Sequence, residues 1–127
     1  MARRLGEGEK PLDWVGSSKK DFLAFPSSVK DEMGAALGVA QFGGRHPSAK
    51  PWKGQGSGVL EIVEDHAGNA YRAVYTVRFS EVVYMLHAFQ KKSPKGRKTA
   101  LTDVELIERR LRIAQQDYEA RYDKPKP

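Results

Sequence analysis

Val59-Leu-Glu-Ile-Val-Glu-Asp65, Ala70-Tyr-Arg-Ala-Val-Tyr-Thr-Val-Arg78 and Val82-Val-Tyr-Met-Leu-His-Ala-Phe-Gln-Lys91 are the three runs that decide the fold. The first alternates apolar and polar residues at period two, the mark of a strand with one buried face. His66-Ala-Gly-Asn69 is turn chemistry, so the second run folds back on the first. Residues 79–81 turn the chain again. The third run is apolar on both faces, which places it centrally in a sheet. Three sequential strands with short connections predict an antiparallel meander.

Working outward, Thr102-Asp-Val-Glu105 has the spacing of a capping box, and Val104, Ile107, Leu111, Ala114 and Tyr118 follow at helical intervals. Glu108, Arg109, Arg112 and Gln115 fall away from that stripe. On the other side, residues 11–15 form a short apolar segment with Pro at its start, suited to an edge strand. Ser18-Lys-Lys-Asp21 predicts a helix start, with Phe22, Leu23 and Phe25 on its apolar side and Pro26 interrupting it. Ser27 and Ser28 then cap a second helix bearing Val29, Met33, Ala36, Leu37 and Ala40, which Gly43-Gly44 ends. Residues 45–58 read as a loop. The expected order is β-α-α-β-β-β-α, an α+β domain with a small antiparallel sheet and helices packed on one face. Residues 11–122 form one domain between flexible segments at 1–10 and 123–127.

With 127 residues, 39% of them hydrophobic, the chain suffices for one core. It has no cysteine, which excludes disulfides, iron–sulfur ligation and thiol nucleophiles. No apolar run approaches the ~20 residues of a membrane span, and residues 1–10 lack the apolar centre of a secretory leader. A cytoplasmic protein with no membrane partner is expected. Lys and Arg number 22 against 16 Asp and Glu, a formal charge of +6, which favours a polyanionic partner.

That charge is concentrated. Lys91, Lys92, Lys95, Arg97 and Lys98 lie between Leu86 and Leu101 with no acidic residue among them, a segment suited to phosphate oxygens. A four-residue turn between the second and third strands would set Arg78 across from Val83, Val74 from His87 and Arg72 from Phe89. Arg72, Thr76 and Arg78 would then share a face with His87, Phe89 and Lys91. Two uses are open to these groups. The arginines can pair internally with Glu61 or Glu64, and His87 can be a satisfied core histidine. Alternatively the face binds and cleaves RNA: imidazole transfers protons, cations stabilise charge building on phosphate, and Phe89 or Trp52 stacks a base. No carboxylate cluster is spaced for two metals, and His46, His66 and His87 are too dispersed for zinc, so neither metal nor cofactor is expected. Asp103 and Glu105 are assigned to helix capping.

Four segments, Trp14-Val-Gly-Ser-Ser-Lys-Lys-Asp-Phe22, Ala49-Lys-Pro-Trp-Lys-Gly54, Ala70-Tyr-Arg-Ala-Val-Tyr-Thr-Val77 and Leu86-His-Ala-Phe-Gln-Lys-Lys-Ser93, give the chain its family likeness. Over about residues 11–118 it resembles the RelE/HigB-like toxins of type II toxin–antitoxin systems, in their phage-derived branch. The resemblance implies a metal-independent endoribonuclease that cleaves mRNA, often on translating ribosomes, and is neutralised by a small helix-turn-helix antitoxin. It assigns Arg72, Lys91 and Lys92 to the scissile phosphate, with Lys50 or Lys53 contributing. Arg78, Phe89, Lys95, Arg97 and Lys98 extend the RNA-binding set by chemistry. The family's catalytic Tyr or His after the last strand has no counterpart, since Tyr118 and Tyr122 match no motif position, and His87 takes the proton-transfer role by chemistry. The same fold also serves ParE-like gyrase inhibitors, and a non-catalytic RNA-binding protein would use the same basic face.

Overall fold

The computed structural model describes residues 5–91 and 100–122, with the side chain of Lys91 left aside. The elements run β1 (Leu12–Trp14), α1 (Ser18–Leu23), α2 (Ser27–Gln41), β2 (Ala49–Pro51), β3 (Val59–His66), β4 (Asn69–Thr76), β5 (Val83–Lys91) and α3 (Leu101–Arg121). The α+β class and the meander are as the sequence predicts. One strand is additional: β2 lies within the expected loop, where Ala49 to Pro51 pair with β3 at the sheet edge.

The sheet order is β1-β5-β4-β3-β2. β5, apolar on both faces, is flanked by β1 and β4. β1 runs parallel to β5, with Leu12 opposite Val83, so the sheet is mixed where wholly antiparallel pairing was expected. The β3–β4 connection is a two-residue turn in which Ala67 (φ 51°) and Gly68 (φ 82°) both adopt the left-handed conformation such hairpins need.

The helices cover both faces, which corrects the expected one-sided packing. α1 and α2 lie on one side, where Phe22, Phe25, Val29, Met33, Leu37 and Ala40 pack on Ile62, Ala73, Tyr75, Val83 and Met85. α3 lies on the other, where Ile107, Leu111 and Ala114 meet Val59, Val74, Val82, Tyr84 and Leu86. A central strand apolar on both faces requires a cover on each side, because burying each such side chain stabilises by about 1.5–3 kcal/mol.

The helix starts also differ from their sequence signatures. Ser18 lies inside α1 and donates to the Met85 carbonyl at 3.2 Å. α2 is preceded by Pro26 and α3 by Ala100, neither with a side-chain cap. Ser28 reaches His66 Nδ1 at 3.1 Å instead. The end of α2 follows expectation: Gly43 and Gly44 donate to the carbonyls of Ala40 and Val39, closing the last turn.

Candidate nucleic-acid interface

The β4–β5 register pairs Arg72 with Phe89 and Val74 with His87, as the turn count predicts. Beyond Val74 the ladder shifts, so that Tyr75 faces Met85 and Leu86 has no partner in β4. This bulge turns both Leu86 and His87 toward α3: Leu86 joins the core beneath it, and His87 contacts Asp103 in its first turn.

Arg72 and Glu61 form an ion pair at 3.3 Å with side chains only 14% and 12% exposed. The internal pairing open in the sequence is therefore present. Lys50, exposed on β2, stands opposite Glu61 in the ladder, so it shares the face of Glu61 and, by strand alternation, of Arg72 and Phe89. Position 91, across from Ala70, has the same parity. Lys92, Lys95, Arg97 and Lys98 lie outside the described residues.

His87 is enclosed. Its Nε2 lies 2.8 Å from Asp103 Oδ1, and its ring stacks on Phe89 at 4.4 Å and 17°. Burial holds the imidazole below its ordinary pKa, overcoming the upward pull of the Asp103 hydrogen bond and charge. It is therefore neutral near pH 7, donating from Nε2, while Nδ1 is buried with no hydrogen-bond partner among the described residues. Asp103, assigned to capping by sequence, serves this imidazole.

Two other expectations are corrected. Arg78 does not face Val83 or join the His87 face, because β4 and its ladder end at Thr76. Its guanidinium instead braces the 53–58 loop, donating from Nε to the Ser57 carbonyl at 3.0 Å and from Nη2 to the Gln55 carbonyl. Trp52 is only 8% exposed and packs in the core with Val59, so it offers no stacking surface. Lys53 is exposed in the turn that follows it. Tyr118 stacks on Phe79, and its hydroxyl meets Ser80 at 3.1 Å, a contact distinct from the Arg72 cluster.

Sequence reasoning missed Arg110. It was outside the expected stripe of α3, yet it is 8% exposed and donates to the Leu86 carbonyl at 2.9 Å and to Ser17 Oγ at 3.0 Å. Among the described residues, no group of three or more His, Asp or Glu side chains could hold a metal ion, and no helix is long and apolar enough to cross a membrane.

The fold is that of the RelE toxins. A double arginine-to-alanine variant of E. coli toxin RelE in the free state matches with a TM-score of 0.55 and 17% identity, over 83% of this chain and 97% of that one. The isolated E. coli RelE toxin matches with a TM-score of 0.51 and 20% identity, over 79% and 97% of the two chains. Residues 20–112 match the model of the family described as Phage derived protein Gp49-like (DUF891), and the chain belongs to that family. A search of the curated proteins finds no match.

Proposed function

We propose that this chain is the toxin of a type II toxin–antitoxin pair and that it cleaves mRNA, without a metal ion, on translating ribosomes. The observation that carries this reading is the strip of sheet beside α3 on which Lys50, Glu61, Arg72 and Phe89 share one face, at the end of the strand that continues into the basic 91–98 segment. The family and the fold support the toxin assignment.

In this scheme the guanidinium of Arg72 takes the scissile phosphate, since its planar fork can exchange the single Glu61 oxygen it holds for two phosphate oxygens. Glu61, released from Arg72, becomes an acceptor for the 2′-hydroxyl proton. Lys91, Lys92 and Lys50 neutralise the flanking phosphates, with Lys53, Lys95, Arg97 and Lys98 further along the strand, and Phe89 stacks a base. Arg78 shapes the neighbouring loop and reaches RNA only from its rim. His87 serves the leaving 5′-oxygen only as imidazolium: the approaching phosphate charge favours uptake of a proton from solvent at Nδ1, which is then passed to that oxygen while Nε2 keeps its hydrogen bond to Asp103. The partners are mRNA, the ribosome and a cognate helix-turn-helix antitoxin that would cover the basic face.

Primer extension on mRNA from cells expressing the chain tests this reading. Position-specific breaks that vanish in Arg72→Ala are expected. Intact mRNA together with protection by gyrase resistance would overturn it in favour of the ParE-like activity. Steep salt-dependent RNA binding with intact RNA recovered would reduce it to a binding protein.

A further inference from the structure

Arginine in the middle of an inward helix stripe is costly, because its charge loses water and recovers it only through well-aligned acceptors. Arg110 lies between Ile107 and Leu111, both buried. No carboxylate contacts its guanidinium among the ion pairs of the described residues. Its partners are the Leu86 carbonyl and Ser17 Oγ, and Ser17 in turn donates to Asp21 Oδ2 at 2.8 Å. Burial lowers its pKa and the Asp21 charge opposes that. A methionine or leucine would fill the same space without this cost.

The backbone is also shaped around it. Gly16 adopts φ +58°, and a Cβ there would stand 3.0 Å from Arg110 Nε and Nη2. The turn between β1 and α1 thus lacks a side chain where the guanidinium lies. What the guanidinium grips is the bulge residue itself, since Leu86 has no partner in β4. A regular strand would send residues 86 and 87 to opposite faces. The bulge sends both to the α3 face, and only so do His87 and Phe89, which stack on each other two residues apart, come to lie on the side of Asp103.

We propose that Arg110 is a positioning residue: by holding the Leu86 carbonyl it fixes the β5 bulge, and through it the His87 ring and the Phe89 surface that faces RNA. This rests on the reading of that face as an RNA site. Arg110 touches no substrate. It acts through His87, and its test must therefore report on His87 directly.

The experiment uses the full chain as wild type, Arg110→Met, Arg110→Lys, Phe89→Ala and the Arg110→Met/Phe89→Ala double variant. Folding is checked by circular dichroism, the His87 ring by nitrogen-15 NMR titration, and RNA affinity with a fluorescent 2′-O-methyl oligonucleotide, which cannot be cleaved through its 2′ position. In folded Arg110→Met the Nε2–H signature of His87 should weaken, and its pKa should rise by more than in Arg110→Lys, which keeps the positive charge that itself lowers it. RNA affinity should fall about tenfold, the scale of one lost stacking contact, with no further fall in the double variant. Arg110→Lys should recover part of both. An unchanged His87 titration in Arg110→Met overturns the proposal, as does an affinity loss that persists in the Phe89→Ala background. If Arg110→Met does not fold, Arg110→Lys and Ser17→Ala carry the same two readouts. A wild-type chain that binds no oligonucleotide refutes the RNA reading alone, since the His87 titration still decides what Arg110 positions.

Discussion

Arg72→Ala should lower both stability and cleavage, and a second substitution should separate the two. The Arg72–Glu61 pair is 3.3 Å long and nearly enclosed, at 14% and 12% side-chain exposure. Charges ~4 Å apart attract by about 4 kcal/mol at an effective dielectric of about 20, and the hydration each has lost offsets part of this. Removing the guanidinium leaves Glu61 desolvated without it, so the variant should lose about 3 kcal/mol. For a chain of this size that is a fall in Tm of roughly 10 °C, measurable by calorimetry. Adding Glu61→Gln should restore most of the loss, because a neutral amide tolerates the site better than a lone carboxylate. Cleavage in the primer-extension assay should drop about 100-fold or more in Arg72→Ala, the scale of one lost charge-stabilising donor. It should not return in the double variant. Glu61→Gln also removes the proposed proton acceptor, so a double variant that regains both Tm and cleavage refutes the phosphate role of Arg72 and the acceptor role of Glu61 together.

The Tyr75 hydroxyl is fully buried with no hydrogen-bond partner among the described residues, and burial pushes its pKa up to about 12. Tyr75→Phe should therefore raise stability by about 1 kcal/mol, and a lower Tm would mean the hydroxyl has a partner in solution. Because burial depresses the folded pKa of His87, the unfolded chain binds the extra proton first. Stability should thus be full above about pH 6.5 and fall as the pH drops through the window below it. His87→Ala should flatten that slope in urea melts, and an unchanged slope would place the titration elsewhere. Ala67 holds φ 51° in the β3–β4 turn, so Ala67→Asn should stabilise by about 0.5–1 kcal/mol, and destabilisation would contradict the turn type.

The parts legible in the sequence are those written in periodicity. Alternation located β3 and β4, the doubly apolar run located β5 at the centre, and the stripe of Val29, Met33, Ala36, Leu37 and Ala40 located the buried side of α2. The capping signatures misled because side-chain oxygens have competing uses. Ser18 was taken by the Met85 carbonyl, and Asp103 by His87 across the sheet, partners that no local window contains. The helices' distribution over two faces depends on the crossover from β1 to β5, a long-range fact, although the two-sided β5 run was the available signal. Near the turn the ladder runs one residue off the expected register, with Thr76 opposite Tyr84, and the bulge restores it by Val74, so Arg72, His87 and Phe89 share a face as expected on that side of the bulge. Arg78 was misplaced because it lies beyond the end of β4. Arg110 escaped notice because a charged residue on an amphipathic helix is read as exposed unless its acceptors are known.

The placement of β5 between β1 and β4 bears on how the molecule comes into being. β1 precedes the meander in the chain, yet its one strand partner among the described residues is β5, the meander's last strand. A polypeptide ending before residue 83 lacks the strand that pairs with β1 and underlies α1, and has neither His87 nor Phe89. The sheet is thus closed by a pairing between segments far apart in the chain, the kind of contact that carries a large loop-closure cost. Completion of the sheet and assembly of the His87–Phe89 face therefore depend on the same strand.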